Sequence, residues 1–162
     1  MNEKERKFHR KVAVDCFNKA WSYLDKKQRS ARNEREMLLL AHTSRYHWGK
    51  VGNARNLAVG DWQISRVYAK IGQAELGVLF ARAALVTCGK NKLVDLLPSA
   101  YEGMARAYAV ARQIDRAREF VAMARRRLRL LTDIEDRQVY GEQIADTEML
   151  ILKNTPGQNK RI

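Results

Sequence analysis

The sequence has few of the residues that build disulfide-bonded, β-rich or membrane-spanning proteins. Two prolines and nine glycines in 162 residues leave little material for the many turns of an all-β fold. Cys16 and Cys88 lie far apart with no C-x-x-C motif, so we expect two reduced, buried thiols. No apolar run approaches the roughly 18 residues of a membrane span, and the charged start lacks the apolar stretch of a secretory signal. These absences favour a cytoplasmic protein with no membrane contact.

Acidic residues are also scarce. The chain has 31 Lys and Arg against 18 Asp and Glu, which gives a formal net charge of +13. A field of this sign attracts polyanions, whether nucleic acid, an acidic protein or an anionic surface. Scattered basic residues also solvate helix faces without binding anything, and charge alone does not choose between the two.

What the chain does have is helical periodicity, with apolar residues at spacings of three and four almost throughout. Two similar pentapeptides, KVGNA at 50–54 and KIGQA at 70–74, interrupt it. Both follow one helical pattern and precede another, and no phosphate-binding glycine motif is present. We therefore interpret them as turns, with Gly49 or Gly52 and then Gly72 closing helices in the left-handed conformation.

Capping residues place the remaining helix starts. Asn33 with Glu36 predicts a capping box for the second helix, and Thr132 with Glu135 predicts one for the seventh. Asp95 is expected to cap the fifth helix. The sequence thus predicts an all-α fold of about seven antiparallel helices within one domain, 1–153, followed by a flexible basic tail, 154–162.

An internal repeat supports this prediction. ISRVYAKIGQAELGVLFARAAL, from Ile64, aligns with MARAYAVARQIDRAREFVAMAR, from Met104, at an offset of forty residues. The shared residues fall at positions where two helices would pack. They are the pairs Arg66 and Arg106, Tyr68 and Tyr108, Ala69 and Ala109, Gln73 and Gln113, Phe80 and Phe120, and Ala84 and Ala124.

The chain resembles the tetratricopeptide repeat (TPR) over residues 35–150. The residues at the TPR spacing are Tyr68, Gly72, Gly77, Ala81, Ala84 and Leu85, and in the same frame Tyr101, Met104, Ala105, Tyr108, Ala117, Val121 and Ala124. Three departures make it TPR-like rather than consensus: Gly77 replaces a small Ala, Arg112 replaces a turn glycine, and the period is forty instead of about 34 residues. The stretch GDWQISRVYA at 60–69 is similar to a group of small bacterial TPR-like proteins. The resemblance implies an α-solenoid of three helical hairpins with a capping C-terminal helix, and no particular activity.

The resemblance also implies a concave groove lined by the first helix of each hairpin. This groove is expected to bind a protein or peptide segment, for example an acidic one. Arg45, Arg66 and Arg106 each precede an aromatic residue by two or three positions. Either they reach into the groove, or they form buried ion pairs with carboxylates such as Asp61 or Glu102. The predicted partner-binding residues are His42, Arg45, Trp48, Trp62, Arg66, Tyr68, Glu102 and Arg106.

A second hypothesis assigns the positive charge to nucleic-acid binding. Arg125, Arg126, Arg127 and Arg129, with Lys160 and Arg161 in the tail, would contact phosphates. The helix dipole gives the first four a structural explanation as well, because it favours cations at a helix C-terminus.

Neither catalysis nor metal binding is indicated. His42 and His47 are five residues apart and diverge on a helix, and no nucleophile or zinc motif is present. We expect no cofactor, no metal and no enzymatic activity. A homodimer formed through an exposed end helix is a third option, because a short solenoid needs capped ends.

Overall fold

The computed structural model describes residues 1–155, and within them every regular element is helical, as the sequence predicts. Residues 156–162, most of the predicted tail, lie outside the described part. The elements are α1 (Glu3–Leu24), α2 (Ala31–Val51), α3 (Ala54–Lys70), α4 (Ala74–Lys90), a 3-10 turn (Val94–Leu96), α5 (Leu97–Val110), α6 (Ile114–Leu128) and α7 (Ile134–Asn154).

The helices pack in neighbouring pairs. α1 packs on α2, α3 on α4, and α5 on α6, and α7 lies across α5 and α6. Because the connections within and between pairs are short, neighbouring helices run antiparallel. The first helices also contact one another in succession, α1 with α3, α3 with α5, and α5 with α7. These four helices thus form one succession of helix–helix contacts.

The same turn closes α3 and α5, forty residues apart. In α3 the amide of Gln73 donates to the Tyr68 carbonyl at 2.9 Å, and in α5 the amide of Gln113 donates to the Tyr108 carbonyl at 3.0 Å. This bond spans a residue in the left-handed region, which is Gly72 (φ 78°) in one turn and Arg112 (φ 61°) in the other. Glycine adopts that backbone freely and arginine does so at a cost.

An aromatic stack repeats at the same offset. Tyr68 stacks on Phe80 with ring centroids 5.6 Å apart, and Tyr108 stacks on Phe120 at 5.5 Å. Each stack joins the two helices of one pair. These aromatic pairs of the sequence repeat thus make matching contacts, as expected for interhelical positions.

α5 forms the centre of the molecule. It contacts α3, α4, α6 and α7, and nearly all its side chains are buried. Small residues allow this crowding. A Cβ on Gly103 would lie 3.0 Å from Cδ1 of Trp62, so the indole packs directly on the α5 backbone there.

Several predicted caps are wrong in position, although the helices they mark are present. Ser30 caps α2 in a capping box with Asn33, because helix formation extends three residues further back than the Asn33–Glu36 pair indicates. For α7, Asp133 rather than Thr132 accepts from the backbone, at the amide of Asp136.

Two further turn predictions need correction. Asp95 does not cap α5. It lies in the 3-10 turn and forms a salt bridge with Arg55. Gly49 lies inside α2, and Gly52 ends that helix in extended backbone (φ −87°, ψ −179°) instead of the left-handed region. The extended form lets Asn53 follow at once as the cap of α3.

Within residues 1–155, no helix combines the length and the apolar character that a bilayer span requires. Both cysteines are free thiols, Cys88 buried and Cys16 half-buried.

Candidate functional site

A cleft of about 590 Å³ opens between the C-terminal ends of α1, α3 and α5 and residues 146–150 of α7. We call it the charged cleft. Helix C-termini favour nearby cations, and α3 and α5 place basic residues there. The residues that line the cleft are Trp21, Leu24, Asp25, Arg66, Ala69, Lys70, Arg106, Val110, Asp146, Thr147 and Leu150.

Arg66 is the central residue of the charged cleft. Its guanidinium lies over two indole rings, with centroid distances of 5.2 Å to Trp21 and 5.6 Å to Trp62. Its Nη1 atom is buried and has no hydrogen-bond partner within residues 1–155. Burial, helped by the nearby charge of Arg106, lowers the pKa of Arg66 to about 10. Arg66, which lines the cleft, therefore remains a cation at neutral pH, and its Nη1 donor is unused within the described residues.

Arg106, the repeat equivalent of Arg66, is bonded to side chains of the protein. It forms a salt bridge with Glu102, one helical turn earlier, and its Nε donates to Thr147 at 3.4 Å. Thr147 in turn donates to Glu102 at 2.5 Å, and the indole N–H of Trp62 donates to the same carboxylate at 3.4 Å. Glu102 has no exposed surface. Of the two interpretations of the predicted arginines, the ion pair describes Arg106.

The charge balance of the cleft depends on Arg66 and Lys70 against Asp25 and Asp146. None of these four side chains forms a salt bridge within the described part of the chain. Burial lowers the pKa of Lys70, and the charges of three arginines lower it further, opposed by Asp146.

A second, apolar cleft of about 200 Å³ adjoins the first. Its polar groups are neutral or satisfied. Burial raises the pKa of Cys88 to about 11 and that of Tyr140 to about 12, and Ser99 donates to Gln143 at 3.5 Å. The lining residues are Phe17, Trp21, Ala58, Val59, Trp62, Ala84, Cys88, Leu96, Ser99, Ala100, Tyr140 and Gln143.

Five predicted binding residues line neither cleft: Glu102, which is fully buried, and four residues around α2. Arg45 forms a two-pronged contact with the buried Asp61, at 2.7 and 3.3 Å. His42 Nε2 lies 3.1 Å from the hydroxyl of Tyr68, and burial lowers the pKa of His42. Trp48 borders a separate surface depression with residues of α1 and α3. The structure thus brings Trp62, Arg66, Glu102 and Arg106 together, and it places the other four between α2 and its neighbours.

Of the predicted polyanion-binding arginines, one is paired with a carboxylate and three are exposed. Arg125 pairs with Glu148 of α7, with contacts of 3.0 and 2.7 Å. Arg126, Arg127 and Arg129 are exposed at the end of α6. Lys160 and Arg161 lie outside the described residues.

No three His, Cys, Asp or Glu side chains of residues 1–155 are grouped to hold a metal ion. His47, predicted to diverge from His42, instead contacts His9 of α1, with their Nδ1 atoms 2.9 Å apart.

Among the charged and aromatic residues of the charged cleft, sequence reasoning missed four: Trp21, Asp25, Lys70 and Asp146. One signal was available, because Lys70 lies four residues after Arg66 and so shares its helix face. The other three come from α1 and α7, whose positions beside α3 and α5 only the tertiary structure gives.

Comparison of the chain with protein-family models, with curated proteins and with solved structures gives no match.

Proposed function

We propose that this chain is a non-catalytic protein- or peptide-binding module. In this proposal the helix pairs form a TPR-like α-solenoid, and the surface of α1, α3, α5 and α7 binds an extended segment of the partner. An acidic side chain of that segment would bind Arg66. The observation that carries the proposal is that Arg66 lines the charged cleft while its buried Nη1 atom has no hydrogen-bond partner in residues 1–155.

The repeat explains why Arg66 is available. Arg106 has Glu102 one helical turn before it, whereas the equivalent position before Arg66 holds Trp62. Arg45 is likewise paired, with Asp61. Buried polar donors nearly always have partners, so an unused guanidinium donor beside an open cleft supports a ligand carboxylate as the partner.

The two carboxylates of the cleft limit the charge of that ligand. Asp25 and Asp146 border the same space as Arg66 and would repel a second or third negative group. A segment with a single acidic side chain fits this balance better than a polyphosphate chain does. The proposal is therefore a peptide carboxylate in the charged cleft.

Nucleic-acid binding through the exposed Arg126, Arg127 and Arg129 is the second candidate, and the net charge of +13 is the observation that favours it. Such binding neutralises several phosphates and therefore weakens steeply with salt. Binding of a single carboxylate does not weaken steeply with salt.

The test uses short peptides blocked at both ends, so that one side chain carries the only charge. The indole N–H signals of Trp21 and Trp62 are followed by NMR while a peptide with one Glu in a Gly background, or its Gln counterpart, is added. We expect binding of the Glu peptide alone, and at least a tenfold loss in Arg66→Met. Asp146→Asn should bind more tightly because it removes a repelling charge.

The matched control is Arg126→Met, which removes an exposed arginine away from the clefts and should bind like the wild type. A Gln peptide that binds as well as the Glu peptide would overturn the proposal. A single-stranded oligonucleotide titrated at two salt concentrations, with tight binding that Arg126→Met weakens and Arg66→Met does not, would favour the second candidate instead.

A further inference from the structure

The apolar cleft is suited to an uncharged side chain. Cys88 and Tyr140, its two titratable residues, are both neutral at pH 7, as their raised pKa values show. Its volume of about 200 Å³ exceeds the ~150 Å³ of an apolar cavity known to accept a benzene-sized group. A leucine or phenylalanine side chain therefore fits it in size and polarity.

The apolar and charged clefts are adjacent parts of one surface. Trp21 borders both of them, and its ring centroid lies 5.8 Å from that of Trp62. Trp62 lines the apolar cleft and also lies beneath the guanidinium of Arg66. A ligand bound to Arg66 is thus separated from the apolar cleft only by the width of this indole pair.

That separation sets a spacing along an extended peptide. Alternate residues of an extended chain point the same way and are ~7 Å apart. The guanidinium of Arg66 lies 5.2 and 5.6 Å from the centroids of the two indoles that line the apolar cleft, which is a separation of similar size. Adjacent residues point to opposite sides, so an apolar residue next to the acidic one would face away.

We infer that the ligand is an extended segment in which an apolar side chain stands two residues from the acidic one, with the apolar side chain in the apolar cleft and the carboxylate on Arg66. The inference rests on the proposed function, because it assumes that a carboxylate binds Arg66. It adds the second anchor and the spacing between the two.

Four blocked peptides test the inference: Leu-Gly-Glu, Glu-Gly-Leu, Gly-Gly-Glu and Gly-Leu-Glu, each within the same Gly flanks. Burial of a leucine side chain strengthens binding by at least about tenfold. We expect one of the two peptides with alternate spacing to bind about tenfold more tightly than Gly-Gly-Glu. Gly-Leu-Glu should gain little, because its leucine cannot reach the cleft.

Two variants connect the gain to the apolar cleft. Val59→Asn introduces a polar side chain into its lining and should reduce the tenfold advantage of the leucine peptide to less than threefold. Val86→Asn makes the same change at an exposed position of α4 outside both clefts and should leave the advantage intact.

The outcomes separate the inference from the proposed function. If Gly-Gly-Glu binds through Arg66 and leucine adds nothing at either spacing, the inference is wrong and the proposed function stands. If Gly-Leu-Glu gains as much affinity over Gly-Gly-Glu as Leu-Gly-Glu or Glu-Gly-Leu does, the inferred spacing is wrong. If replacing Glu by Gln changes no affinity, the proposed function is wrong as well.

Discussion

Replacing Glu102 with glutamine isolates the buried ion pair on which the charged cleft is built. Glu102 has no exposed surface and accepts hydrogen bonds from Arg106, Thr147 and Trp62. Glutamine keeps the size of the side chain and one acceptor oxygen, but it removes the negative charge. The guanidinium of Arg106, itself only 9% exposed, is then left without a counter-charge.

Removing one partner of a buried ion pair costs about 3–5 kcal/mol, and the retained acceptor places Glu102→Gln near the lower figure. For a chain of this length each kcal/mol lowers Tm by about 2–4 °C, so 3 kcal/mol corresponds to about 6–12 °C. The loss is smaller than the usual 5–15 kcal/mol of a folded domain, so at least part of the population stays folded at 25 °C.

Thermal and urea unfolding, followed by circular dichroism, measure this change. Glu3→Gln is the matched control, because Glu3 pairs with Lys7 at 2.7 Å on the exposed face of α1 and should show no measurable change. The double variant Glu102→Gln/Arg106→Gln should lose less than the sum of the two single changes. If Glu102→Gln lowers Tm by less than about 2 °C, the charge of Glu102 does not neutralise Arg106.

Two further changes test the turns and the histidines. Arg112→Gly should stabilise the protein by about 1 kcal/mol in urea unfolding, because arginine at φ 61° bears a cost of the left-handed backbone that glycine does not. An unchanged or lower stability would contradict the strain at this turn. Burial holds the pKa of His42 below 6.5, so the unfolded chain takes up its proton first, and stability should fall as the pH decreases below about 6.5. Urea unfolding at pH 7.5 and 5.5 should show a smaller pH effect in His42→Gln, and an equal effect would assign the pH dependence to other groups.

The helices were predictable because their signals are local. Apolar spacing and the turn at Gly72 depend on residues close together in the chain, and these mark the elements well. The caps were predicted less well, because neighbouring residues compete for the same role. Ser30 stands three residues before Asn33 and Asp133 directly after Thr132, and each pair offers two side chains that can cap a helix.

The candidate site was predictable only in part. The forty-residue repeat placed Arg66 and Arg106 on equivalent helix faces, and both border the charged cleft. Asp25 and Asp146 come from helices with no repeat relation to them, so their presence depends on how α1 and α7 pack. Arg45 follows the same Arg–aromatic pattern, but α2 presents it to Asp61 on a different side of α3.

Within residues 1–155, Arg66 is a partly buried cation without a carboxylate partner, whereas Arg106 has Glu102. Burial of an unpaired charge opposes folding, and burial likewise lowers the pKa of Arg66 to about 10. A carboxylate at position 62 would relieve it, as Glu102 does for Arg106, yet Trp62 stands there and offers the weaker attraction of its ring face. Arg66→Met keeps the contact with both indoles and removes the charge, so the variant expected to lose the peptide should be at least as stable as the wild type. A clear loss of stability would mean that Arg66 serves the fold, and the charged cleft would then lose its proposed ligand.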